Sequence, residues 1–244
     1  MRLTRVHVDA DLRAGSELEL PETSAAHLAR VLRLQVGDSC VVFDGRGHEA
    51  DAQLVAIDKR GARVRIGAVC TPANESPLRI TLLQGVARGE KMDLILQKGT
   101  ELGVNAFVPV FSDRSEVKLD AARAAKRLEH WRGVVASACE QSGRALVPDV
   151  QAPVALANAL PALVPATRLL LDPVAAMNCR TAVTAGQPEI VLAVGPEGGW
   201  SPLDHSLLEA RGFIGVRLGP RVLRTETAGL AAIAALQALH GDFD

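Results

Sequence analysis

Apolar and polar residues alternate at period two over residues 2–8 and 17–20, and again over Ser39 to Asp44, Glu49 to Ile57 and Ala62 to Val69. That pattern predicts five short, half-buried strands. A GRG turn at 45–47 and a DKRG turn at 58–61 separate the last three. Between the second and third strands, Ser24 to Leu34 places Leu28, Val31 and Leu32 at helical spacing. Many short strands around one helix read as a small β-barrel. TPANESP, Thr71 to Pro77, has no periodicity and a proline near each end, so it reads as a linker.

Beyond the linker the pattern changes. RITLLQGV is a buried strand, Met92, Ile95, Leu96, Gly99 and Leu102 share one face of a helix, and AFVPVF is the next strand. Strand, helix and strand at this spacing form a βαβ unit and imply a parallel sheet. A long helix over residues 119–141 stops near Gly143, and a Pro-rich helical connector follows. The buried strand TRLLLD then ends at Leu171 and Asp172, and Glu189 to Val194 and FIGVRL are two more. An Ala-rich helix from about Glu226 to Leu239 closes the chain. The predicted class is α/β, with a strand-rich domain over 1–72 and a parallel-sheet domain over 73–244.

Two of the predicted strands run into Gly/Pro-rich loops, VLAVGPEGGWS (Val191 to Ser201) and LGPRVLRTETA (Leu218 to Ala228). In open parallel sheets ligands collect outside the carboxyl ends of strands, which is where both loops belong. Gly195, Gly198 and Gly199 let a ligand approach backbone, Pro196 stiffens the turn, and Glu197 offers a carboxylate to a hydroxyl or amine. Such chemistry suits a nucleoside. The GxxxxGK[ST] of a phosphate-cradling loop and the GxGxxG of a dinucleotide fold are both missing. Either loop alone is also what a tight strand-to-helix turn looks like; two in one sheet point to a shared site. Ser201, Pro202 and Asp204 have the order of a helix N-cap, first turn and capping box.

At 244 residues and 48% hydrophobic, the chain can bury a core of one large or two ordinary domains. No run reaches membrane-span length, and the alternating, acid-bearing N-terminus is unlike a signal peptide, so a cytoplasmic protein is expected. Cys40, Cys70, Cys139 and Cys179 have no CxxC or Cys/His spacing, so they read as small core residues and no metal site is expected. The net charge of -1 excludes a protein coated in positive potential but permits a local basic surface. With 3% aromatics and no Tyr, any nucleic acid would be held by Arg and Lys on phosphates rather than by stacking.

The two loops, together with KMDLILQKGTELGV (Lys91 to Val104), RSEVK (Arg114 to Lys118), EQSGR (Glu140 to Arg144), HLARVLRLQVGD and FDGRG, resemble the bacterial small-subunit ribosomal RNA uridine-N3 methyltransferases of the SPOUT superfamily. The resemblance spans nearly the whole chain; LGPRVLRTETA is its most specific part, while GPEGG is shared with other SPOUT enzymes. Glu116 stands where that family pattern has a small apolar residue. The resemblance implies an N-terminal PUA-like RNA-binding barrel, a C-terminal domain threaded through a trefoil knot, and a homodimer. It implies S-adenosylmethionine (SAM) as methyl donor without a metal, and 16S ribosomal RNA or the small ribosomal subunit as partner.

On this reading Leu171, Gly195, Pro196, Glu197, Gly198, Gly199, Leu218, Gly219, Val222, Leu223 and Thr225 hold SAM, although Leu171 by itself reads as core. Arg224 stabilises negative charge on the uracil and Glu226 orients it or accepts a proton; a structural Arg224–Glu226 ion pair is the competing reading. Arg30 and Arg33 beside the helix stripe and Arg46 at a turn tip read alone as solvated surface. Joined to a catalytic domain, they become candidates for RNA phosphates, as do Lys91, Lys98 and Arg114, with Glu101 on the same side. EQSGR reads either as capping and surface residues or as the edge of the active site. A non-catalytic RNA-binding or nucleoside-sensing protein of the same fold, or a SPOUT enzyme acting on another RNA, is the alternative function.

Overall fold

The computed structural model describes residues 4–58, 61–115, 120–184 and 186–243, and the chain divides into two units, Met1–Glu75 with Ala136–Val147, and Ser76–Val135 with Pro148–Asp244. The division therefore falls after Glu75 rather than after residue 72, and the first unit includes a second piece of chain. Periodicity does not reveal that piece, because what ties it to the first unit is long-range packing.

In the first unit, strands β1 (Arg5–His7), β2 (Glu17–Glu19), β3 (Ser39–Phe43), β4 (Glu49–Ile57) and β5 (Ala62–Cys70) form one sheet in the order β1-β3-β4-β5-β2. Alternation along β4 and β5 sends Ala50, Ala52, Leu54, Val64 and Ile66 into a core shared with Val6, Cys40, Val42 and Leu28. Helix α1 spans Glu22–Arg30, so the expected extension to Leu34 is not made. Leu28 is buried, but Val31 and Leu32 lie beyond the helix end and are 65% and 39% exposed. The chain turns out of the helix through Arg33, whose φ of 54° is the single left-handed non-glycine value among the described residues. The DKRG turn at Lys59 and Arg60 and the Glu116 to Lys118 part of RSEVK lie outside the described residues.

The residues from Ala136 onward add a small second core, Cys139 and Ala145 against Phe43, with Val147 beside them. Arg144 is buried and grips Glu75 through Nη2 at 2.6 Å and Nε at 3.1 Å. Glu140 accepts the backbone N–H of His7 at 3.1 Å, and Arg5 pairs with Glu49 at 2.6 Å while lying over the Phe43 ring. Cys139 and Cys40 are inert core thiols, pushed by burial up to about 12 and about 11 respectively. Cys70, expected in the core, is exposed at the end of β5.

In the second unit, β6 (Arg79–Gly85), β7 (Val104–Phe111), β8 (Asp149–Val150), β9 (Val154–Ala155), β10 (Thr167–Leu171), β11 (Met177–Asn178), β12 (Glu189–Val194) and β13 (Ile214–Arg217) make one sheet. Its order is β11-β13-β10-β12-β6-β7-β8, with β9 also on β7, and every pairing is parallel. Five of the six β12 residues are buried, as a central strand covered on both faces requires. Helices α2 (Glu90–Glu101), α3 (Ala121–Ser142), α4 (Leu156–Ala159), α5 (Cys179–Ala182), α6 (Pro202–Glu209) and α7 (Thr225–His240) connect the strands, and α3 carries the chain from this unit into the first. In α2, Met92, Ile95, Leu96 and Gly99 face inward; a Cβ on Gly99 would come within 2.9 Å of the Phe107 ring, so glycine there permits close helix–sheet packing. Gly143, at φ 92°, ends α3 as expected. Helix α4 lies in the expected Pro-rich helical connector, whereas the two-residue strands and the four-residue α5 escaped the sequence pattern because they are too short for a period to show. Among the described residues no helix is long and apolar enough to cross a membrane.

Asp44 anchors the GRG turn of the first unit. Its Oδ1 accepts the backbone N–H groups of Arg46 at 2.7 Å and His48 at 3.0 Å, and its Oδ2 meets the His48 ring at 2.8 Å. Burial pushes the Asp44 carboxyl up, but those two N–H donors and the imidazole outweigh it and hold the pKa below the usual carboxylate value. A depressed carboxylate contributes stability that is present above its unfolded pKa and lost as pH falls through the folded one. We therefore expect Asp44→Ala to cost about 1 kcal/mol at neutral pH, with two part-buried backbone donors losing their acceptor. That difference from the unaltered protein should shrink as pH falls through and below the ordinary carboxylate range, as thermal unfolding followed by circular dichroism across pH will show.

Candidate functional site

The strand order sets the site. β12 and β13 flank β10 on opposite sides, so the chain reverses direction of growth across β10, and a crevice opens outside the carboxyl ends of these strands. A cavity of about 480 Å³ lies there, within the usual size range for a small-molecule site. Leu171 and Asp172 at the end of β10 form one wall. The loop after β12 supplies Gly195, Pro196, Glu197 and Gly199, and the loop after β13 supplies Leu218, Val222, Leu223 and Thr225. Arg224 and Glu226 line the same space, so both expected catalytic residues meet the expected binding loops in one cavity.

Two expected contributors do not line it. A Cβ on Gly198 would stand 3.2 Å from the Arg114 backbone oxygen, and Arg114 Nη1 donates to Gly198 O at 3.3 Å. Gly198 thus serves packing against the loop after β7, and Arg114 braces the GPEGG turn. Gly219 has φ 74°, a left-handed value that favours glycine, and open space around it. The helix start after this loop is as read: Ser201 Oγ accepts Asp204 N at 3.1 Å, and Asp204 Oδ2 accepts Ser201 N at 2.9 Å.

Lys91, expected to face RNA, lines the cavity instead. Its Nζ is 3.2 Å from Glu197 Oε1 and 3.9 Å from Glu226 Oε2, so one ammonium links a carboxylate from each loop. The same Glu197 Oε1 also accepts the backbone N–H of Arg88 at 3.1 Å. Burial pushes the Glu197 carboxyl up, yet the N–H groups and Lys91 bring it below the usual value. Arg224 has no carboxylate within ion-pair distance among the described residues, and no bond joins it to Glu226. Glu226 Oε2 and Trp200 Nε1 are buried without a hydrogen-bond partner, leaving an acceptor and a donor for a bound molecule.

The other candidates are not among the residues that line the cavity. Lys98 closes on Glu101 at 2.8 Å on the surface of α2, and Asp93 pairs with His130 at 2.8 Å. Arg46 is held between Asp9 at 2.9 Å and Asp11 at 3.0 Å, so its charge is already balanced. Arg30 and Arg33 are exposed on the first unit. EQSGR belongs to the first unit, where Glu140 and Arg144 have structural partners, and contributes nothing to the cavity. Sequence reading missed Asp172, Trp200, His205, Arg217 and Arg221, which also line it. It missed Gln84 too, a wholly buried polar side chain; its signal was one amide inside the apolar run RITLLQGV.

Gly85 tests how tightly the loop is seated. A Cβ there would lie 2.6 Å from Pro196 N and also collide with the proline ring, whereas one on Gly198 needs only a few tenths of an ångström from Arg114. Gly85→Ala is expected to cost about 1–3 kcal/mol through overpacking, and Gly198→Ala less, compared by thermal unfolding.

Residues 74–237 match the family model of the RNA methyltransferase domain, and residues 20–67 that of the RNA methyltransferase PUA domain. The chain is 31% identical to a ribosomal RNA small subunit methyltransferase E of Buchnera aphidicola, over 99% of this chain and 98% of that one. It is 37% identical to the protein of that name in Synechocystis, over 87% and 70%. A crystal structure of a ribosomal RNA small subunit methyltransferase E from Neisseria gonorrhoeae bound to S-adenosyl methionine is 42% identical and superposes with a TM-score of 0.94, covering 100% of both chains. A structure from Legionella pneumophila in complex with bound SAM is 35% identical, at a TM-score of 0.95 over the full length of both. With a PUA domain preceding a parallel-sheet domain and this likeness along its whole length, the chain belongs to the RNA methyltransferase family of the ribosomal RNA small subunit methyltransferase E proteins.

Proposed function

We propose that this chain is an enzyme that transfers the methyl group of SAM to N3 of a uridine in 16S ribosomal RNA of the small subunit. One observation carries the reading: both signature loops converge on a single cavity that holds Arg224, outside any ion pair among the described residues, and a Glu226 oxygen that is buried with no hydrogen bond and has only Lys91 near it, at 3.9 Å. The cavity fits the donor, since its lining is largely apolar, its loops bring backbone to the ligand, and its orphaned acceptor and donor match a polar nucleoside. Bound SAM supplies an electrophilic methyl group. Leu171, Gly195, Pro196, Gly199, Leu218, Val222, Leu223 and Thr225 would hold it. Among the described residues no cluster of ligands could hold a metal, and the proposed residue roles need none.

N3 of uridine is a weakly acidic imide, so the enzyme must remove its proton and tolerate negative charge on the ring. Arg224 supplies a cation that no carboxylate among the described residues neutralises, and we assign it to the uracil oxygens. Glu226 presents an acceptor oxygen to the same space, and we assign it to orienting N3–H or taking its proton. Exposed Arg217 and Arg221 stand on the cavity lining beside Arg224, none of them ion-paired among the described residues, while Arg63, Arg65 and Arg79 elsewhere all have a glutamate partner. That uncompensated charge supports a polyanionic substrate, to which Arg30 and Arg33 of the PUA domain add more than paired Arg46. Family membership and the half-buried small residues Ala231, Ala234 and Ala235 on α7 support a cytoplasmic homodimer. A trefoil knot at the second loop belongs to the same proposal.

Arg224→Ala should leave SAM affinity near its original value in calorimetric titration and lower single-turnover methyl transfer to the small ribosomal subunit by about a hundredfold or more. Raising pH should recover part of the lost rate, because more uridine is already ionised. An equal loss of affinity and rate would show that Arg224 holds the loop instead.

A further inference from the structure

We propose that Gln84 is a positioning residue for the methyl-donor cavity, acting through a two-step hydrogen-bond relay, Gln84 to Thr225 to Gly195, that fixes the two loops against each other; this rests on the cavity being the SAM site. Gln84 is the penultimate residue of β6, beside Val194, its register partner at the end of β12, and is fully buried. Its Nε2 donates to Gly85 O at 2.9 Å and Thr225 Oγ1 at 3.1 Å, with Val194 O at 3.5 Å. Thr225 Oγ1 in turn donates to Gly195 O at 2.5 Å. The direction of each bond is set by chemistry. Two of the three atoms around Nε2 are carbonyl oxygens, which only accept, so the amide nitrogen must face them. The Thr225 hydroxyl gives its single proton to the Gly195 carbonyl and therefore receives from Gln84.

This arrangement has a cost that core packing does not explain. Gln84 Oε1 is buried without a partner, facing Gly229 on α7. A leucine at this position would fill an apolar strand with no such defect. The amide instead joins the end of β6, the end of β12 and the first residue of α7, the three points from which the GPEGG and LGPRVLRTETA loops take their places. Gly195 carries its carbonyl on the hydroxyl of the residue that follows Arg224, so a shift of one loop is a shift of the other, and of the catalytic pair with it.

The test uses the full-length chain and SAM titration calorimetry, with thermal midpoint and single-turnover rate on the same samples. Thr225→Val keeps the shape and removes both relay bonds; Gln84→Leu removes the donor. Each is expected to weaken SAM binding by about tenfold or more. Thr225→Ser, which keeps Oγ, should restore the original affinity. The double variant should bind no more weakly than the poorer single one, because one relay is broken once. Thr225→Val should lower the thermal midpoint by only a few degrees, leaving the chain folded at the titration temperature, which separates positioning from folding and keeps the idea testable if Gln84→Leu does not fold. Unchanged affinity in Thr225→Val, failure of Thr225→Ser to restore it, or independent losses that multiply in the double variant would each overturn the relay. Absence of SAM binding by the unaltered chain would overturn the function proposed for the cavity instead.

Discussion

Strand direction is the constraint from which the site follows. In a sheet where every pairing is parallel, each strand delivers its carboxyl end to the same edge, and the loops that leave β10, β12 and β13 have to share that edge. Placing β12 and β13 on either side of β10 then separates the following helices and leaves a crevice between them. No loop has to be long to reach the others. Apolar strands buried on both faces hold those loop origins fixed, and the chemistry is confined to residues that follow the last buried position of each strand.

This is why so much of the molecule could be read along the chain. The apolar runs at Glu189 to Val194 and Thr167 to Leu171 name the central strands, and the abrupt Gly/Pro clusters after Val194 and Leu218 name the loops. Ser201 to Asp204 specify a helix start through local bonds alone, so sequence suffices there. Most of the expected donor-binding residues line one cavity for the same reason: they are neighbours within two short segments.

What could not be read depends on partners distant in sequence. Whether Lys91 faces solvent or a carboxylate is decided by Glu197 and Glu226, more than a hundred positions away, and Arg144 is likewise decided by Glu75. The apolar stripe at Leu28, Val31 and Leu32 had helical spacing, yet spacing does not say where a helix stops, and Arg33 turns the chain before the stripe is complete. Gly198 and Gly219 show a subtler limit. Glycine marks a place where backbone needs freedom or room, but only the fold tells whether a ligand, Arg114 or a left-handed turn uses it. Gln84 was visible as an oddity in its strand, and its meaning came only with Thr225 and Gly195 beside it.

The return of Ala136–Val147 to the first unit bears on how the protein is made. Synthesis runs from the N-terminus, so the PUA sheet emerges early with Phe43 lacking the cover that Cys139 and Ala145 will give it, and with Glu75 awaiting Arg144. All of Ser76–Val135 must leave the ribosome before that cover arrives. Early domain completion, the common course for multidomain chains, is thus denied to the N-terminal unit. Its last contacts have high sequence separation and close late. A nascent chain arrested before residue 136 would carry an unfinished PUA domain, and so would any fragment cut at the apparent linker.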